Sequence, residues 1–233
     1  MLPERMDGDA VPPELLARNL REIHLMNRYA GGYSASLKGI KKLMTDRNKN
    51  YHIADLGCGD GGFLKYLAAW ADKNGFSARL TGIDNNRETI RLLRRNCRKY
   101  PGITGIAADY RDALTALEKV DIFHCSLFCH HLANREIMAL FRELKNMSGT
   151  GFVINDLRRS RQAFYAAKWI PLLLGGTSLS RHDGPVSVLN GFTRSELELL
   201  LEDAGIATFD IRRRRLFRFL IVGRVAGNNS GSE

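Results

Sequence analysis

Cysteine is scarce and unpatterned: there are four in 233 residues, Cys58, Cys97, Cys125 and Cys129, and none form a CxxC pair. That excludes a disulfide framework and fits a reduced, cytoplasmic protein. The opening residues, MLPERMDGDAVPPELL, hold no apolar signal core, which adds to the same expectation. Long apolar runs are also missing. No stretch approaches the roughly 20 residues of a membrane span, and the best candidate, 164–174, contains Lys168 and Pro171. Acids are outnumbered, with 25 Asp and Glu against 35 Lys and Arg, for a formal net charge of +10. Such a balance admits nucleic acid, acidic lipid or an anionic substrate. The excess is partly local, in Arg158, Arg159 and Arg161 and in the four arginines at 212–215. Neither group is interleaved with the aromatics that stack single strands. Apolar residues make up 44% of the chain, so disorder is excluded, and the length suits one domain with an appended lid.

What is present has a clear order. Pro12 and Pro13 stand where a helix begins. Leu15, Leu16, Leu20, Ile23 and Met26 follow at helical spacing until Gly31 and Gly32 interrupt it. A short second helix, with Ser34 or Ser36 as its cap, carries Leu37, Ile40 and Met44. Residues 12–45 thus read as a helical cap. From residue 50 the pattern alternates. Strands are predicted at 51–56, 78–83, 103–108, 120–128 and 151–155, and helices at 63–73, 87–98 and 134–146, with a loop before 120. Strands alternating with helices imply βαβ units and a parallel sheet covered on both faces.

The alternation then breaks. Residues 158–190 read as an inserted lid, helical over 158–174 and irregular over the Gly/Ser-rich 175–190. Thr193, with Glu196 three residues on, opens a last helix through a capping box. Residues 207–225 are β-rich and read as an antiparallel hairpin turning near 213–216, and 226–233 as a disordered tail. The fold class expected is Rossmann-like α/β: a doubly wound, mostly parallel, seven-stranded sheet ending in an antiparallel hairpin.

The chemistry centres on residues 52–63, where an apolar strand runs into glycines and then a helix. Gly57, Gly59 and Gly62 match GxGxxG, a weak dinucleotide signal by itself. Asp55, two residues before the first glycine, would repel a pyrophosphate but suits an ammonium or sulfonium. Asp60 adds a second acid inside the loop. The closing hairpin also differs from the last strands of a dehydrogenase.

On these residues the sequence resembles class I S-adenosyl-L-methionine methyltransferases. Residues 55–62, DLGCGDGG, look like their first motif, and 80–84, LTGID, like their second. The resemblance implies that Asp55, Gly57, Cys58, Gly59, Asp60 and Gly61 surround the cofactor. It places Asp84 on the ribose hydroxyls and Asn85 against the adenine. Asp109 and Tyr110 look like the third motif, beside the adenine, and Ser126 ends the fourth, facing the methyl group. The resemblance spans about 50–157. A looser similarity, to bacterial enzymes associated with polyketide, aryl-polyene or quinone-like pathways, rests on 27–32, His130-His131-Leu132, 155–159, 182–188 and Phe217-Arg218.

That family reading implies methyl transfer to an oxygen or carbon of a small aromatic, polyketide-like or quinone-like acceptor. His130 and His131 are the candidate bases, since imidazole accepts protons near neutrality. No metal is expected, because adjacent histidines do not easily share one ion and no third ligand is evident nearby. Asn155, Asp156, Arg158, Tyr165, His182 and Asp183 are the candidate acceptor contacts, with Tyr165 or His182 facing the crevice. Cys125 and Cys129 read as core. The partners expected are a small-molecule acceptor, no nucleic acid, no membrane span and, as an open option, a second copy of the chain. Two alternatives stay open: a nucleic-acid methyltransferase, and a non-catalytic protein that binds the cofactor. The first lacks an Asn/Asp-Pro-Pro-aromatic motif, since the place reads Ser126-Leu127-Phe128-Cys129.

Overall fold

In a computed structural model that describes residues 2–8 and 11–225, seven strands form one sheet in the order β3-β2-β1-β4-β5-β7-β6. They are β1 (Asn50–Leu56), β2 (Ser77–Asp84), β3 (Ile103–Ala107), β4 (Val120–Ser126), β5 (Ser148–Leu157), β6 (Phe209–Arg214) and β7 (Arg218–Arg224). The first five pair in parallel, and β7 lies antiparallel between β5 and β6. The strand order reverses between β1 and β4. Ligands of such sheets bind there, beyond the carboxyl ends of the strands.

Both faces are buried, as a parallel sheet requires. The period of two sorts the side chains. On β5, Phe152 and Ile154 enter the core that also holds Phe123, Phe141, Phe219 and Leu201. The intervening Val153 enters the opposite core, with Ile40, Ile53, Leu64, Leu67 and Leu220. The covering helices are α2 (Gly32–Ile40), α3 (Gly62–Lys73), α4 (Arg87–Asn96), α5 (Tyr110–Ala116), α6 (Asn134–Met147) and α9 (Arg194–Asp203). The remaining three, α1 (Pro13–Tyr29), α7 (Arg161–Leu173) and α8 (Ser178–Asn190), arch over the strand ends.

Three local expectations are corrected. Residues 110–116, expected to be loop, form α5, because the Asp109 carboxylate accepts the Arg111 N–H and starts a helix. Neither Ser34 nor Ser36 caps α2. Gly31 precedes it at φ 88°, and Ser36 is buried inside it. The stretch 175–190, expected to be irregular, is mostly α8, started by Thr177, whose side chain accepts the Ser180 N–H. Its Gly184, Pro185 and serines argue against a helix by propensity, and tertiary docking overrides them. The Thr193 capping box is present, with Glu196 and Thr193 bonded reciprocally. The tail expected to be disordered, 226–233, lies outside the described residues. Among the described residues, no helix is long and apolar enough to cross a membrane.

Candidate active site

At the β1–β4 switch point the β1–α3 loop makes a floor of backbone. Gly57, Gly59 and Gly61 take φ of 69°, 55° and 78°, a left-handed geometry that a side chain would resist. The loop is fixed from the neighbouring strand. Gly57 and Cys58 donate their N–H groups to the Ile83 carbonyl, and Gly59 N–H donates to Asp84 Oδ2 at 3.2 Å. Asp84 ends β2, and its other oxygen accepts the Asn86 N–H at 3.0 Å. A cavity of about 1730 Å³ opens above this floor. A single ligand pocket holds about 300–1,000 Å³, so there is room for a cofactor and an acceptor side by side.

One end of the cavity is acidic. Asp55, Asp60, Asp84 and Asp109 all reach its wall, as do Cys58, Asn85, Tyr110 and Ser126. Gly61 does not; it serves as the residue before α3. Carboxylates at three strand ends disfavour a pyrophosphate and favour a cationic ligand bearing a diol. The donor set therefore fits a sulfonium nucleoside. Each of the acids also has protein partners; Asp60 accepts the Gly62 N–H and the Asn96 side-chain amide. Asp55 lies beside His124 in the β1–β4 register, and the two side chains bond at 2.6 Å. Asp109 is gripped by the Arg111 guanidinium at 2.9 and 2.7 Å, which, against some burial, holds its carboxyl below the usual range.

Another part of the wall is built by α7 and α8, apolar where α7 supplies it and mostly polar where α8 does. Helical periodicity decides which residues reach it. Ala163, Ala166, Ala167, Ile170 and Leu174 form the inward stripe of α7. Tyr165, two positions off that stripe, points outward and is 58% exposed; it is not an acceptor contact. On α8 the inward stripe includes Ser180, Asp183, Ser187 and Val188. His182 falls off it, bonding its neighbour Asp183 at 2.7 Å and facing an outer groove beside Arg18. Arg158 also misses the cavity wall; its guanidinium covers the Phe217 ring. Asp183 does reach the cavity, where its carboxylate accepts the Arg5 and Met6 N–H groups.

Asn155 and Asp156 were expected at the mouth but are completely buried beneath it. Asn155 donates to the Gly32 carbonyl and to Ser36, which also bonds His124. Asp156 is a hub. It accepts the Phe128, Cys129 and Leu157 N–H groups and bonds His130 Nδ1 at 2.6 Å. Burial raises its pKa, yet the His130 and His131 imidazoles and these hydrogen bonds leave its carboxyl below the ordinary value. Asp156 therefore sets the ring orientation of His130, while His130 and His131 themselves reach the cavity. Both sit on a single 3₁₀ turn after β4, with ring centroids 4.3 Å apart. The turn is reached through Leu127, a non-glycine residue at φ 55°, a strained conformation of the kind found at functional sites.

Sequence reasoning missed three wall residues. Tyr33 and His24 bond each other at 2.9 Å beside the start of α3. Burial, with help from Asp60 and Asp55, pushes the Tyr33 phenol well above its ordinary value. Burial also lowers the His24 pKa, so the pair stays neutral. Glu4 is the third, with its carboxylate 3.6 Å from His130 Nε2. No local pattern marks any of them, because each arrives by tertiary folding from the first 33 residues.

Comparison with known proteins agrees with this geometry. Residues 53–159 match a family model described as a methyltransferase domain. None of the curated proteins matches the chain. Among solved structures, the plantazolicin methyltransferase BpumL with S-adenosylhomocysteine is similar at a TM-score of 0.66 and 16% identity, over 92% of this chain and 95% of that one. A methyltransferase dependent on S-adenosylmethionine from Aquifex aeolicus is similar at 0.63 and 17%, over 93% and 100%. Magnesium protoporphyrin IX methyltransferase from Synechocystis, with S-adenosylmethionine bound, is similar at 0.55 and 15%, over 95% and 88%. At such identities the likeness shows the fold, while the domain match covers the floor, the acidic strand ends and the histidine turn. The chain carries a methyltransferase domain at residues 53–159, in a fold shared with methyltransferases that bind S-adenosylmethionine or S-adenosylhomocysteine.

Proposed function

We propose that the enzyme methylates an oxygen, or a carbon activated by an adjacent oxygen, on a small and largely apolar acceptor. The observation that carries this is the histidine turn. It lines the same cavity as the acidic strand ends and the alanine face of α7, with His130 fixed by a buried carboxylate. The sulfonium cofactor supplies an already activated methyl group. What remains for the chain is alignment, worth roughly 7–11 kcal/mol in well-oriented reactions, and removal of the acceptor's proton. Asp84 holds the ribose, and Asn85 and Tyr110 flank the base. The alanine stripe of α7 offers a flat wall to a ring or polyketide-like body. His130 and His131 receive the acceptor's hydroxyl, and the Asp156 bond to Nδ1 directs His130 Nε2 into the cavity.

Two of the similar structures are named for organic acceptors, plantazolicin and magnesium protoporphyrin IX, which agrees with a small-molecule reading. Nucleic acid is not the substrate in this reading. Several arginines of the 158–161 and 212–215 groups are already engaged within the protein: Arg158 lies on the Phe217 ring, Arg159 pairs with Glu196 and Arg212 with Asp210. The enzyme acts in the cytoplasm. A homodimer would use the exposed apolar face of α7, where Tyr165, Trp169, Leu172 and Leu173 gather.

The test is turnover with a labelled methyl donor across a panel of phenols, enols and quinols. His130→Ala should lower kcat by about 10²–10⁴-fold with the S-adenosylhomocysteine Kd unchanged. Full activity in both the His130→Ala and the His131→Ala enzymes would remove the histidine turn from the reaction.

A further inference from the structure

We infer that Glu4, His130 and His131 form a binding site for a divalent transition-metal ion. The ligand atoms of these three residues, one from each, all lie within 4.8 Å of one another. They are also the one such group of three among the described residues. Two imidazoles and a carboxylate are a common donor set for zinc, which leaves a further position open. In a tetrahedral zinc site the ligand atoms stand roughly 3.3 Å apart, from Zn–ligand distances of about 2.0–2.1 Å. A small rotamer adjustment closes the difference.

The surroundings are those of a held ligand set. A metal-binding histidine ordinarily gives its other ring nitrogen to a carboxylate. His130 does so, with Nδ1 on buried Asp156 at 2.6 Å and Nε2 turned toward Glu4 at 3.6 Å. Glu4 has an outer partner as well, since Ser187 Oγ donates to its Oε1 at 2.7 Å. The segment carrying Glu4 is tied in place from α8. Asn190 bonds both the N–H and the carbonyl of Leu2, and Asp183 accepts the Arg5 and Met6 N–H groups. Glu4 is thereby buried to 7% in a segment whose neighbours Pro3 and Arg5 are exposed. The objection that adjacent histidines diverge does not apply on a 3₁₀ turn that brings the rings to 4.3 Å.

The inference rests on the proposed reading that the acceptor's oxygen comes to the histidine turn, and it says how that oxygen is activated. The open position takes the acceptor's hydroxyl as its anion, the proton passing to water, and the ion holds the charge. His130 then serves as a ligand rather than as a free base.

Zn²⁺ alone, added to metal-free full-length protein, is the probe. Calorimetry should show one site per chain with a Kd of micromolar or below, and zinc should raise the Tm. Glu4→Gln and His131→Ala should each weaken zinc binding at least tenfold, and Asp156→Asn by about 10–100-fold. Each variant's Kd for S-adenosylhomocysteine serves as the check that it has folded. Co²⁺ at the same site should give a visible absorption band that the Glu4→Gln protein lacks. The inference is overturned if zinc does not bind saturably, if binding ignores these substitutions, or if Glu4 and His130 prove to be an ion pair only, with turnover unchanged in chelator. Those outcomes leave the methyltransferase assignment standing; failure of the wild-type protein to bind S-adenosylhomocysteine would instead count against that assignment.

Discussion

The residues divide by how they come to the cavity. Asp84 belongs to the local kind, a strand-end carboxylate next to the loop it steadies. Asp84→Asn keeps the shape but removes the charge that would accept two ribose hydroxyls. Calorimetry with S-adenosylhomocysteine should show about a 10–100-fold loss, the equivalent of about 1.5–3 kcal/mol for charged hydrogen bonds. Gly62 tests the distant kind. A Cβ there would lie 2.2 Å from Tyr33 Oη and 2.3 Å from His24 Nδ1, so Gly62→Ala must displace the neutral pair. Urea unfolding should register about 1–3 kcal/mol of lost stability. The local kind was legible from sequence, since Asp55, Gly57, Gly59 and Asp84 are read off strand ends. The distant kind was not. Glu4, His24 and Tyr33 reach the wall only when the first turn, α1 and α2 fold onto the sheet. Asn155 and Asp156 show the reverse limit. Their place at the end of β5 was legible, but whether a strand-end side chain points outward to ligand or inward to a histidine is settled by its neighbours.

At the scale of elements, the joint between α1 and α8 carries the most polar traffic. The Glu22 carboxylate accepts the Thr177 N–H, the Thr177 hydroxyl and the Ser180 hydroxyl. Burial works against its charge, but these bonds hold its pKa below the ordinary 4.5. A lowered carboxyl pKa means the joint is at full strength above that ordinary value and is lost as pH falls through the lowered one. Amide exchange in α8 should therefore quicken as the pH drops below about 4.5, relative to α6, and Glu22→Gln should show the quickened exchange already at pH 7. The capping box of α9 is a simpler case: Thr193→Ala should cost about 1 kcal/mol in thermal or urea unfolding and leave cofactor affinity alone. The strands and the long helices could be read in advance because their periodicity is strong. Helix α8 could not, since Gly184, Pro185 and its serines carry no helical signal and its support comes from α1 and α7. The inward face of α7 was misjudged for a related reason. Its aromatic residues are conspicuous in sequence, yet the cavity wall is made by its alanines.

At the scale of the whole molecule, the formal charge of +10 predicts salt-sensitive sticking to polyanions without recognition. Fluorescence anisotropy with a structured RNA should give affinities no tighter than about 10⁻⁴–10⁻⁶ M at physiological salt. Sequence-selective binding in the nanomolar range would argue for a nucleic-acid substrate after all. The other whole-molecule feature is the reach of α1. Asn27 accepts a hydrogen bond from Arg218 at 2.7 Å. The Arg218 guanidinium is buried at the start of β7, with its pKa lowered by that burial to about 10. Strand β7 lies between β5 and β6, so β6 has no partner until β7 is in place. During synthesis, then, α1 is made first and finds its seat late. The glycine loop and the acidic strand ends can assemble while the chain is still growing, whereas the roof waits for the hairpin. Chains halted on the ribosome before β7 emerges should leave α1 open to protease, and chains released in full should protect it.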